Sequence, residues 1–151
     1  MIVTDAAVKI KQLVSYYIRK CGTSDPFELA DKLSILYQSG KCGYEGYYIF
    51  LKNHRYIFLS DDLNEADQRL VMAHELRHAI LDRKDNCYFI RNKTFLLNSK
   101  IERRANRFAA ELLIPDEVIL ENVHLTTRQL SRLLGYEQKF IELRLESYYE
   151  I

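Results

Sequence analysis

The stretch VMAHELRHAIL at residues 71–81 decides the fold, because it places an HExxH motif inside an apolar segment. His74 and His78 are four residues apart, so on a helix they lie on one face, one turn from each other. Two imidazoles in that arrangement can bind one zinc ion at about 2.0–2.1 Å each. Glu75 is rotated by about 100° from His74. Its carboxylate can therefore lie beside the water of a catalytic zinc site, where a base is needed.

A catalytic zinc ion needs a third protein ligand, which the motif does not supply. Glu102 follows His78 by 24 residues and lies near the start of segment 100–113, whose apolar residues recur every three or four positions. A second helix packed on the HExxH helix can point Glu102 at the metal. The residues alone leave two other interpretations open. Glu102 can be a solvated residue that complements a helix dipole, and the motif can be a buried helix whose polar groups are satisfied locally.

The pattern along the chain predicts an α+β fold that is mostly helical, with one small β-hairpin. Asp25 and Pro26 form a helix start, as N-cap and first helical residue. Thr126 and Gln129 form a capping box. The predicted helices cover residues 5–20, 26–37, 65–82, 100–113, 115–121, 127–134 and 137–148, and the predicted strands cover 44–51 and 56–60.

The length of 151 residues, 48% of them hydrophobic, predicts a single domain over 1–151. We divide it into a core, 1–121, and a C-terminal helical hairpin, 122–151. The hairpin resembles a helix-turn-helix, but its last helix mixes acidic with basic residues and the chain has a net charge of +1. DNA binding needs a basic recognition helix, so a structural role is favoured and nucleic acid is an unexpected partner.

The chain is expected to be a cytoplasmic protein. Its N-terminus has no uninterrupted apolar region of the kind found in signal peptides, and no apolar run approaches the roughly 18 residues of a membrane span. The three cysteines, Cys21, Cys42 and Cys87, are far apart and form no CxxC pair, which is typical of reduced thiols.

Two sequence blocks carry a resemblance to a known family. HELRHAIL at 74–81 and ERRANRFAAELLIP at 102–115 are similar to the signatures HELGHxxLH and E-x-x-A-N-x-F-A-x-x-L-L-x-P of the ImmA/IrrE metallo-endopeptidases. The resemblance implies a zincin-like fold, His74, His78 and Glu102 as zinc ligands, and Glu75 as the catalytic base. It also implies a protein substrate, typically a helix-turn-helix repressor of a phage or mobile element. The alternative is a non-catalytic zinc-binding regulator that binds a repressor or DNA.

Three residues in these blocks have open roles. Arg77 stands where the family usually has glycine, so it either crowds the cleft or projects outward. Asp82, in place of a common histidine, either accepts the N–H of His78 or is a surface residue at the helix end. Asn106 either orients Glu102 or nearby backbone, or serves packing.

The hairpin and two further histidines complete the predictions. One of the two strands, 44–51 or 56–60, is expected to be an exposed edge beside the metal that pairs with an extended peptide. The alternative is a hairpin that only packs on helices, with its edge covered by 83–99. His54 and His124 are expected on the surface, and either can serve as a donor to the transition state.

Overall fold

The computed structural model describes residues 5–84, 87–89 and 100–149, and it confirms the predicted α+β class. Its helices pack with one small mixed sheet, chiefly through contacts of α3 with β2 and β3. None of the described helices has the length and apolar character needed to span a bilayer. The helices are α1 Asp5–Cys21, α2 Pro26–Lys32, α3 Glu65–Leu81, α4 Lys100–Leu113, α5 Asp116–Glu121, α6 Thr127–Leu134 and α7 Gln138–Tyr149; the strands are β1 Leu36–Gly40, β2 Gly46–Leu51, β3 His54–Ser60 and β4 Cys87–Phe89.

The predicted hairpin forms the middle of a four-stranded sheet whose order is β1-β3-β2-β4. Strands β2 and β3 pair antiparallel through the turn residues Lys52 and Asn53, whose φ values are 49° and 64°. Two left-handed residues match the right-handed twist of the flanking strands, which is why such a tight turn fits here. Strand β1 pairs parallel with β3, and β4 pairs antiparallel with β2.

The prediction that the second helix runs to Tyr37 is wrong. Helix α2 ends at Lys32, and Ser34 takes a left-handed φ of 58°, which breaks the helical path. The chain then continues as β1, whose Leu36 and Tyr37 pair with Tyr56 and with its neighbour Ile57 on β3. Tertiary pairing with β3 therefore overrides the helical pattern at this point.

The prediction that a hairpin strand is the exposed sheet edge is also wrong. Strand β3 lies between β1 and β2, and β2 lies between β3 and β4, so the edges are β1 and β4. The stretch 83–99 contributes β4, which covers β2 along Gly46–Tyr48, as the alternative interpretation expected. Positions 85–86 and 90–99 of that stretch lie outside the described residues.

Helix α3 occupies the centre of the molecule. It contacts β2 and β3 on one side and α4 and α2 elsewhere, and every residue from Leu70 to Ala79 is buried. The sheet approaches it closely at Gly46, where an added Cβ would lie 2.5 Å from Cγ1 of Val71. The HExxH motif is therefore held on a helix that has no solvent-facing side over these ten residues.

The C-terminal helices are fixed to the core by one buried arginine. The predicted Thr126 capping box begins α6, and Gly135 ends it with a φ of 84°. Arg144 on α7 is 1% exposed; it donates to the carbonyl of Ile114 at 2.6 Å and pairs with Glu111 and Asp116. These contacts join α7 to the end of α4 and the start of α5.

Candidate metal centre

Helices α3 and α4 bring His74, His78 and Glu102 together. The Nε2 atoms of the two histidines are 3.2 Å apart. Nε2 of His74 lies 3.0 Å from Oε2 of Glu102, and Nε2 of His78 lies 3.2 Å from Oε1 of the same carboxylate. The second helix thus presents its glutamate to the HExxH face in the way that the motif spacing requires.

These three side chains fit a single zinc ion. A tetrahedral ion with bonds of about 2.0–2.1 Å requires ligand atoms roughly 3.3 Å apart, close to the separations found here. Their candidate ligand atoms all lie within 4.8 Å of one another. Two imidazole nitrogens and one carboxylate oxygen are donors that zinc accepts, and three protein ligands leave the fourth position open.

The outer nitrogen of each histidine is held by a second side chain. Nδ1 of His74 lies 2.7 Å from Oδ1 of Asn106, and Nδ1 of His78 lies 3.1 Å from Oδ2 of Asp82. An acceptor at Nδ1 keeps the proton there and leaves the Nε2 lone pair free for a metal. Asp82 therefore has the first of its two predicted roles. Asn106 contacts His74, a partner that the sequence did not suggest for it.

Arg77 neither crowds the cleft nor projects outward. Its side chain is 8% exposed and follows the end of α3, where Nη1 donates to Oδ2 of Asp82 at 3.2 Å. Burial lowers the pKa of Arg77; the charge of Asp82 opposes that change, and the nearby charge of exposed Arg104 adds to it. Both departures from the family signature, Arg77 and Asp82, therefore belong to one contact.

The charges at the centre favour an ionised Glu102 beside a neutral His74. Burial alone would raise the pKa of Glu102, but hydrogen bonds and charge from His74 and His78 outweigh it, so this pKa lies well below its usual range. Burial lowers the pKa of His74, and the neighbouring His78 lowers it further, against the effects of Glu102 and Asn106. Deprotonated ligands are the forms that bind a metal.

Glu75 is completely buried, and within the described part of the chain neither of its carboxylate oxygens has a hydrogen-bond partner. Burial raises its pKa well above the usual range, and the charge of Glu102 adds to the effect. A buried polar group with no partner costs stability, so such a group calls for an explanation in function. A carboxyl whose pKa is raised is a stronger base than an exposed carboxylate.

The two other histidines and the cysteines are not among the residues that form this centre. His54, at the start of β3, and His124, after α5, are both exposed, which confirms the surface prediction. Cys21 and Cys42 are free thiols, and the side chain of Cys87 lies outside the described residues. Sequence reasoning missed the contact between Asn106 and His74 and the contact between Arg77 and Asp82; the second spans five residues across a helix end, so helical periodicity gives no signal for it.

An α+β fold with two histidines one turn apart and a glutamate from a second helix defines the class of metallopeptidases. Comparison with known proteins agrees. The peptidase M78 family, described as the IrrE N-terminal-like domain, matches residues 31–150. An uncharacterized immunity region protein 2 of Bacillus phage phi105 is 34% identical over 139 residues, covering 89% of this chain and 88% of that protein. Metallopeptidase ImmA of Bacillus subtilis (strain 168) is 27% identical over 143 residues, covering 94% of this chain and 78% of that protein. The chain belongs to the ImmA/IrrE family of peptidase M78.

Proposed function

We propose that this protein is a zinc-dependent endopeptidase in which His74, His78 and Glu102 hold the zinc ion and Glu75 is the catalytic base. The observation that carries the proposal is the pairing of two features, a ligand cluster shared by α3 and α4 and a buried carboxylate on α3. The two Nε2 atoms lie 3.2 Å apart, and each lies 3.0–3.2 Å from one oxygen of the Glu102 carboxylate. The residue next to the first histidine is a buried carboxylate without a hydrogen-bond partner in the described chain.

The chain's own residues supply the proton transfers of amide hydrolysis. A zinc ion bound here would polarise the scissile carbonyl and make water more acidic. Glu75 accepts a proton from the attacking water and then passes it to the nitrogen of the leaving amine. Burial raises the pKa of Glu75, which makes its carboxylate a stronger base toward the attacking water than an exposed carboxylate would be. Asn106 and Asp82 keep the two imidazoles oriented throughout.

We further propose that the substrate is a protein, specifically a helix-turn-helix repressor of a phage or mobile element, cleaved in the cytoplasm. One relative is named as a phage immunity region protein and another as a metallopeptidase. Immunity functions depend on a repressor, so a protease in such a region has an obvious target. We also propose that residues 1–151 form one domain, in which 122–151 is a structural appendage of the core.

The proposal is tested with metal-loaded protein and the repressor encoded beside it. Glu75→Gln is expected to retain one zinc per chain while cleavage falls by about 10²-fold or more. His74→Ala and Glu102→Ala are expected to lose zinc and cleavage together, and Glu142→Ala, at an exposed position, is the matched control that keeps both. Undiminished cleavage by Glu75→Gln would contradict its role as base.

The same variants separate a protease from a regulator that only binds. In cells that carry the repressor, Glu75→Gln is expected to leave repression intact, because the repressor is no longer cut. If Glu75→Gln relieves repression as well as the unaltered protein does, while the repressor stays full length, the protein acts by binding and the proposed activity is wrong.

A further inference from the structure

One carboxylate oxygen links a buried arginine to a proposed metal ligand. Oδ2 of Asp82 accepts from Nδ1 of His78 at 3.1 Å and from Nη1 of Arg77 at 3.2 Å. The side chains of His78, Arg77 and Asp82 are 0%, 8% and 16% exposed. Hydrogen bonds between charged groups in such a poorly solvated place are stronger than on the surface.

The carboxylate of Asp82 needs a side-chain partner to stay next to His78. It is the C-cap of α3, with φ −111° and ψ 41°, and its backbone N–H donates to the carbonyl of His78. That bond fixes the backbone but not the carboxylate, whose Oδ2 is held by Nδ1 of His78 and by Nη1 of Arg77. Of these two donors, Arg77 is the one that is not a proposed metal ligand, so it can hold Asp82 in place for His78. A buried guanidinium in turn needs an anion, because leaving it unpaired is costly.

The two histidines are therefore supported differently. His74 is backed by the neutral amide of Asn106 at 2.7 Å, and His78 is backed by a carboxylate that already carries an arginine. A carboxylate behind an imidazole makes it a stronger ligand. The guanidinium on the same oxygen keeps the carboxylate in place and offsets part of its negative charge. The acceptor behind His78 then resembles more closely the neutral amide behind His74.

We infer that Arg77 is a positioning residue that acts through Asp82 to orient His78 for metal binding. The inference rests on the proposed role of His78 as a ligand. The proposed role of Arg77 differs from a general charge effect, because a positive charge near the zinc dication would by itself weaken metal binding. Arg77 strengthens binding by holding Asp82, and it has no favourable effect once the Asp82 carboxylate is gone.

The test is a double-mutant cycle on the zinc affinity of the metal-free protein, measured by competition with a fluorescent chelator. Asp82→Asn is expected to weaken zinc binding by about 10- to 100-fold, and Arg77→Met by about tenfold. The double variant is expected to bind no more weakly than Asp82→Asn alone. Arg104→Met is the matched control, because it removes an exposed arginine charge near Arg77 and is expected not to weaken binding.

Other outcomes would overturn the inference. Losses that multiply in the double variant would show that Arg77 acts independently of Asp82. Tighter binding in both Arg77→Met and Arg104→Met would show a charge effect only. Thermal unfolding of the metal-free variants checks the fold; if Arg77→Met does not fold, the cycle is repeated with Arg77→Lys, which keeps the charge and is expected to lose less affinity. His78→Ala separates the two proposals, since full affinity in that variant would refute the ligand assignment itself.

Discussion

Replacing Glu75 by glutamine is expected to stabilise the metal-free protein at neutral pH while it removes the proposed base. Glu75 is fully buried without a partner in the described chain, and its pKa in the folded protein is raised well above the usual 4.5. Below pH 4.5 both folded and unfolded states are protonated, so the titration has no effect on stability. Above it the unfolded chain releases the proton and the folded protein keeps it, so the free energy of unfolding falls with pH.

The size of the effect follows from the shift. The loss is about 1.4 kcal/mol for each pH unit between the unfolded and folded pKa values. Glutamine has a similar shape, lacks the same partners and does not titrate. Its stability advantage therefore opens above pH 4.5 and grows with pH until the folded protein releases the proton as well. For a domain of this size, about 1.4 kcal/mol of that advantage corresponds to roughly 3–6 °C in Tm.

Urea or thermal denaturation in the presence of a chelator measures this difference at pH 4.5 and 6.5. The exposed Glu142→Gln serves as the control, and its difference from the unaltered protein is expected to be nearly constant with pH. An equal offset for Glu75→Gln at both pH values, or a wild-type protein that is the more stable one at pH 6.5, would refute the reasoning from burial.

Further predictions concern the supports of the site and of the fold. Asn106→Ala is expected to weaken zinc binding by about 10- to 100-fold, measured by chelator competition, because it leaves Nδ1 of the first histidine without its acceptor. Arg144→Met is expected to reduce the free energy of unfolding by about 3–5 kcal/mol, against less than about 0.5 kcal/mol for the exposed Arg132→Met, since only the former removes the arginine from the buried carboxylate of Glu111. Gly46→Ala is expected to cost about 1–3 kcal/mol in urea denaturation, because its Cβ has no room against α3, and an unchanged midpoint would contradict that close approach.

The features that the sequence predicted correctly depend on near neighbours in the chain. The one-turn spacing of His74 and His78, the capping box at Thr126 and the left-handed Gly135 each follow from residues within four positions. Glu102 was brought in by the second family block, and the structure places it against both histidines. Helix periodicity and helix caps depend on residues a few positions apart, so they can be predicted from a single sequence.

The features that were missed depend on partners far along the chain. Strand β1 exists because Leu36–Gly40 pairs with β3, some twenty residues away, and Ser34 turns the chain toward it. The predicted sheet edge was wrong for the same reason, since β4, which follows α3 in the chain, pairs with β2. The path of Arg77 is the exception: its partner Asp82 is only five residues away, but the contact crosses a helix end, where helical periodicity no longer predicts neighbours.

The placement of the ligands on two helices gives the metal a role in the topology of the chain. An ion held by His78 and Glu102 would close a loop of about 24 residues between α3 and α4, in addition to any part in chemistry. A crosslink over a loop of that length removes conformational freedom from the unfolded chain, an effect on the order of 3 kcal/mol for a covalent bridge. Metal supply would then govern how long each molecule survives proteolysis as well as how fast it works, because the metal-free chain opens more often.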